Sequence, residues 1–78
     1  MSIAKSLSEI VPGTDVEIIK LEGDMEFTCQ MVAIAFFPGA HVHVHRRICV
    51  ADVLIVEVDT VCYAITAKIG SLIKVREI

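Results

Sequence analysis

The stretch Phe36-Phe37-Pro38-Gly39-Ala40-His41-Val42-His43-Val44-His45-Arg46-Arg47 restricts this chain more than any other, because an apolar run meets a Pro-Gly corner and then alternates strictly. Pro38 presets φ at about −65° for the second position of a turn, and Gly39 accepts the positive φ that a type II turn requires next. Past the corner, Val42 and Val44 point to one side of a strand and His41, His43 and His45 to the other, since successive side chains alternate faces. A helix end, a reversal and a strand with one core-facing side follow from this single segment.

The same arrangement occurs 26 residues earlier, where Ile10-Val11-Pro12-Gly13-Thr14-Asp15-Val16-Glu17-Ile18 again runs from an apolar pair through a Pro-Gly corner into alternating Val and Ile. One echo is too few for a solenoid. Ahead of it, Ser6 and Glu9 have capping-box spacing, so hydroxyl and carboxylate are each expected to satisfy an orphan N–H of a short helical turn that Pro12-Gly13 stops. Within the strand from Val16 to Leu21, Leu21 is out of phase with Val16 and Ile18, which predicts a bulge or sharp twist near Ile19. Asp24 has the character of an N-cap for a helix running to about Ala35. Phe27, Met31 and Ile34 on that helix fall at i, i+4 and i+7, a stripe that closes over a sheet as a lid.

From Val53 onward the chain reads as strand after strand. Leu54, Val56 and Val58 share one face of the first, Val61, Tyr63 and Ile65 one face of the second, and Ile73 and Val75 one face of the last. Asp59-Thr60 is the tight reversal between the first two, and Ala67-Lys68-Ile69-Gly70 a short helical turn before the last. Five short strands with one apolar face each predict a mainly β fold. A small closed or nearly closed five-stranded barrel buries that face by curling, with one short α-helix, between the first and second strands, plugging or flanking one end.

With 78 residues the chain has room for one domain, 1–78. A chain of this size buries only about 60% of its unfolded surface, so the 55% hydrophobic composition exceeds what the interior can hold. The excess is expected to be covered by a partner or a second copy. The longest apolar run, Met31 to Phe37, is seven residues, against the roughly 20 needed to cross a bilayer. Met1-Ser2-Ile3-Ala4-Lys5 lacks a signal peptide's apolar stretch. The expected location is the cytoplasm, without direct membrane insertion. Cys29, Cys49 and Cys62 are odd in number and match neither a disulfide framework nor a paired CxxC site. They read as free thiols, with Cys29 and Cys62 expected to pack as small hydrophobes. A net charge of −3 argues against nucleic acid as a partner.

No nucleophile elbow, Walker loop, dinucleotide fingerprint or HExxH motif occurs, and no spacing sets a base beside a nucleophile, so an enzyme is not expected. The candidate ligands are His41, His43 and His45, since imidazole is the common ligand of borderline metals. His41 and His45 lie roughly 13 Å apart on a straight strand at about 3.3 Å per residue. A closed site therefore needs a further ligand, with Asp52 and Cys49 nearest in sequence. The stripe itself offers no carboxylate beside its imidazoles, and the same alternation describes the exposed polar face of a barrel strand. A different candidate surface lies on the next strands. If Leu54, Val56 and Val58 fill the interior, then Val53, Ile55, Cys62 and Ala64 face outward, as an apolar patch of the kind that marks an interaction site. Arg46 and Arg47 stand beside it and would steer an acidic partner.

The order Leu7-x-x-Ile10-x-Pro12-Gly13-x-x-Val16-x-Ile18, Met31-x-x-Ile34-Ala35-Phe36-x-Pro38-Gly39-Ala40-x-Val42-x-Val44, Arg46-Arg47, Asp52, Leu54-x-Val56-x-Val58, Tyr63-Ala64-Ile65 and Ile73-x-Val75 resembles the FeoA domain. The resemblance implies an SH3-like barrel that accompanies FeoB, the membrane ferrous-iron transporter with a GTPase module, as a small cytoplasmic protein. It implies no required cofactor and no catalytic residues. A similar domain ends the iron-dependent repressors. Three functions follow: an adaptor that docks on the transporter's GTPase portion through Arg46, Arg47, Val53 and Ile55; a metal-binding sensor or carrier using His41, His43 and His45, with weak transition-metal binding; and a free-standing relative of the repressor domain. Where the family commonly has glycine, this chain has Ala35, the turn Cys49-Val50-Ala51-Asp52-Val53, and Thr60. Those turns either change geometry or hold strained non-glycine residues.

Overall fold

In the computed structural model, which describes residues 4–78, the two Pro-Gly corners take the same shape. Gly13 has φ of 94° and Gly39 of 96°. Thr14 N–H donates to Val11 O at 3.3 Å and Ala40 N–H to Phe37 O at 2.9 Å, closing two type II turns. The strands they launch, β2 (Asp15–Leu21) and β3 (His41–Ile48), pair antiparallel with Val16 opposite Val42. Each corner then binds the middle of the other strand: Gly13 N–H donates to Val44 O at 2.7 Å, and Gly39 N–H to Ile18 O at 2.7 Å. The echo in sequence is thus an approximate local twofold in space.

Among the described residues six strands form one antiparallel sheet in the order β1-β6-β2-β3-β4-β5, with β1 at Lys5–Ser6, β4 at Val53–Val58, β5 at Val61–Thr66 and β6 at Ile73–Glu77. The five expected strands are β2 to β6, and the two-residue β1 adds a short pairing along β6. Val16, Ile18, Val42, Val44, Leu54, Val56, Val58, Ile65, Ile73 and Val75 all turn inward and are buried with Leu7 and Ile10, so the sheet curls around a single core. The expected phase slip in β2 is a bulge: the register with β6 shifts between Ile18 and Lys20. A second bulge, with no trace in the residue pattern, shifts β3 against β4 between Val44 and Arg46.

Helix α1 (Met25–Ala33) begins where Asp24 Oδ1 accepts from Phe27 N–H at 2.8 Å. Met31 is buried, and Phe27 and Ile34 pack against the core as the lid stripe requires. The helix ends two residues before Ala35, through a Schellman motif: Phe36 N–H donates to Met31 O at 2.8 Å and Ala35 N–H to Val32 O at 3.0 Å. That motif puts its left-handed residue at Ala35, with φ of 69°. Between β4 and β5, Asp59 and Thr60 both have positive φ, 51° and 66°, the requirement of a two-residue type I′ hairpin. At the third lost glycine the left-handed residue is Asp52, with φ of 52°, and not Ala51. The backbone geometry is therefore kept and the strain is carried by other side chains. A β-branched residue is the least suited to it, at about 1–2 kcal/mol. Thr60→Gly is accordingly expected to stabilise the domain by about 1 kcal/mol, raising the melting temperature by about 4 °C or more in a thermal melt followed by circular dichroism.

Two expectations are corrected. Ser6 and Glu9 do not make a reciprocal capping box: Ser6 Oγ donates to Glu9 Oε1 at 3.0 Å, and neither side chain caps the 3₁₀ turn Leu7–Glu9. Ser6 belongs to β1, where it is buried, and its hydroxyl needs a partner inside more than the exposed end of a three-residue turn needs a cap. Cys29 and Cys62 do not pack as core hydrophobes; like Cys49 they are exposed, because they fall on the outer sides of α1 and β5. The short helix α2 (Ala67–Gly70) forms where expected, with Thr66 Oγ1 accepting from Ile69 N–H at 3.2 Å.

Candidate functional site

The outer face of β3, β4 and β5 is organised in three cross-strand rows. Ile48 pairs with Val53 and Val53 with Thr66; Arg46 pairs with Ile55 and Ile55 with Ala64; His43 pairs with Glu57 and Glu57 with Cys62. Leu54, Val56 and Val58 are buried while Val53 and Ile55 are half-buried and Cys62 and Ala64 exposed, the inside-outside assignment that the alternation predicts. Two rows are largely apolar and the third is made of metal-ligand side chains. β5 closes this end of the sheet and, among the described residues, pairs with no strand on its other side.

The β3 bulge decides which arginine belongs to this face. Strict alternation from His41 would put Arg47 outside. The extra residue at His45 instead keeps Arg46 outside, beside Ile55, and turns Arg47 to the side of the inward-facing Leu54. There Arg47 donates to Ser8 O at 3.0 Å and to Asp52 Oδ1 at 3.1 Å, holding the 3₁₀ turn and the β3–β4 turn together. Of the four candidate docking residues, Arg46, Val53 and Ile55 share a patch and Arg47 is a rim clasp.

The histidines separate in a similar way. His41 is exposed opposite Glu17 and borders an open groove of about 360 Å³ with Phe37, Val58 and Asp59. His43 and His45 come together, with ring centroids 4.7 Å apart and planes at 75°. Each holds a carboxylate from a neighbouring strand: His43 Nδ1 lies 2.7 Å from Asp15 Oδ1 on β2, and His45 Nε2 lies 2.8 Å from Glu57 Oε1 on β4. The carboxylates missing from the stripe are thus supplied across the sheet. Asp52, expected as an extra ligand, holds Arg47 instead, and Cys49 lies exposed after β3. The thiol that does approach is that of Cys62: ligand atoms of His45, Glu57 and Cys62 lie within 4.8 Å of one another. Sequence spacing could not find this group, because its members sit on three strands.

A family model for the FeoA domain matches residues 5–77. The chain belongs to the FeoA family. FeoA proteins are small accessory domains associated with ferrous iron transport. Among solved structures, an iron uptake regulatory protein (FeoA) is 24% identical with a TM-score of 0.88, over 97% of this chain and 99% of that one. Iron(II) transport protein A from Clostridium thermocellum is 23% identical with a TM-score of 0.86, over 94% of this chain and 45% of the other. A manganese-dependent transcriptional repressor shares the fold at 15% identity and a TM-score of 0.88, where this chain spans 44% of the repressor. No curated protein sequence matches the chain. The curled sheet is the SH3-like fold that FeoA shares with repressor C-terminal domains. No helix among the described residues is long and apolar enough to cross a membrane.

Proposed function

We propose that this FeoA-family protein is an accessory factor of ferrous iron transport that acts in the cytoplasm by docking on the GTPase portion of a FeoB-type transporter. The docking surface is the outer face of β3 to β5. One observation carries this reading: the two apolar rows built on Val53 and Ile55 continue to an edge strand, β5, whose six residues include no charge. Edge strands are ordinarily guarded by lysine, proline or a bulge, and an outward sheet face is ordinarily polar. A surface lacking both kinds of protection is suited to being covered. Arg46 stands in the Ile55 row without an ion pair among the described residues, so its charge is free to attract an acidic partner.

The test is calorimetric titration of the full chain with the separately expressed GTPase module of a FeoB-type transporter from the same source. A one-to-one complex is the expected result. Absence of binding at concentrations of about 100 μM, a range that includes weak transient complexes, would remove this reading. It would leave the alternative that the fold shared with the manganese-dependent repressor favours, a free-standing relative that contacts a transcription factor.

A further inference from the structure

We propose that His45, Glu57 and Cys62 form a binding site for a divalent cation of borderline softness, Zn²⁺ or Co²⁺. The site takes one member of the histidine stripe, His45, and completes it with ligands from β4 and β5 in place of His41 and His43; it does not depend on the docking reading. Three adjacent strands each supply one ligand of a different kind: an imidazole from β3, a carboxylate from β4 and a thiol from β5. Glu57 and Cys62 are direct cross-strand partners, and their side chains leave the sheet on the same face. His45 joins them because it is the extra residue of the β3 bulge, a device that re-aims a side chain out of the regular pleat.

The geometry is near what a tetrahedral ion needs. Ligand atoms about 2.0–2.3 Å from a zinc ion are about 3.5 Å apart, and those of His45, Glu57 and Cys62 are already within 4.8 Å. Rotation of exposed side chains closes the remainder. The imidazole of His45 is held on two sides, by the ring of His43 and by Glu57. With Nε2 bonded to Glu57, the cation would replace a contact in which two of its ligands already face one another.

The donor set selects the metal. On binding, the Cys62 thiol loses its proton to solvent, the His45–Glu57 hydrogen bond opens and the Nε2 proton passes through solvent to Nδ1, so that the neutral imidazole offers its Nε2 lone pair while one thiolate and one carboxylate balance the two positive charges. A thiolate with an imidazole favours zinc and cobalt over magnesium or calcium, and affinity in such sites rises from ferrous iron through cobalt. Three protein ligands leave a fourth position for water or for a group from another molecule.

The test uses the reduced full chain titrated with Co²⁺ under anaerobic conditions. Thiolate-to-cobalt charge-transfer absorption is expected to saturate at one equivalent and to be bleached by Zn²⁺. The band is expected to be lost in Cys62→Ser, strongly weakened in Glu57→Gln, and retained in the Cys29→Ser/Cys49→Ser double variant. A second readout needs no substitution: since the thiolate is the nucleophile, Zn²⁺ is expected to slow alkylation of Cys62 by about tenfold or more while leaving Cys29 and Cys49 nearly unchanged. A band that persists in Cys62→Ser, or equal alkylation of all three thiols with and without Zn²⁺, would overturn the assignment.

Discussion

Phe36→Ala is expected to remove about half of the domain's stability. The side chain is fully buried, and its ring meets Tyr63 edge-on with centroids 5.5 Å apart. It also occupies the position after the left-handed residue of the Schellman motif, where it is buried with Met31 and fastens the end of α1 to the sheet. Truncating a buried phenylalanine costs about 3–5 kcal/mol through lost transfer energy and the cavity left behind. At about 0.05–0.15 kcal/mol per residue, a domain of this size has total stability of about 4–12 kcal/mol. Urea denaturation should therefore show a midpoint far below that of the parent with little change in slope, and the melting temperature should fall by about 12 °C or more. Phe37, the neighbouring residue on the rim of the Pro-Gly corner, is 42% exposed, and its replacement by alanine should cost about 1 kcal/mol or less. A larger loss at Phe37 than at Phe36 would mean that the corner is turned the other way.

The fold was legible because its strands are built from β-branched residues in strict alternation. Leu54, Val56 and Val58 declare the inward face without any knowledge of the neighbouring strands, and Val42 and Val44 do the same for β3. The bulge at Ile19 could be read because apolar residues stand on both sides of it, Ile18 and Leu21, and a change of phase between them is visible. The bulge at His45 has polar neighbours on its C-terminal side, Arg46 and Arg47, so no apolar residue records the slip. That hidden residue decided which arginine faces outward and which imidazole meets Glu57. The pairing of His43 with Asp15 and the approach of Cys62 depend on register between separate strands, which local periodicity does not contain. Cys62 was further concealed by its apolar neighbours in sequence, although its outward phase on β5 already required exposure. The lost family glycines pointed to the left-handed positions themselves at Ala35 and Thr60, and missed by one residue at Asp52.

Ile55→Lys is expected to separate docking from folding. Ile55 lies in the middle of the outer face, half-buried between Arg46 and Ala64, while its neighbours Leu54 and Val56 fill the core. A lysine stem can lie along the same apolar strip with its charge in water, so the free domain should lose about 1 kcal/mol or less. In a complex that covers this face the ammonium group would be desolvated without a partner, beside Arg46 of its own sheet. That penalty, about 2 kcal/mol or more, corresponds to about thirtyfold or more in Kd. The decisive measurement is calorimetric titration of the transporter's GTPase module with the parent chain and with Ile55→Lys, each first shown to melt cooperatively. A one-to-one complex is expected for the parent and a loss of about thirtyfold or more for the variant, with melting temperatures within about 8 °C. Equal affinities for the two folded proteins would contradict docking through the outer face of β3 to β5.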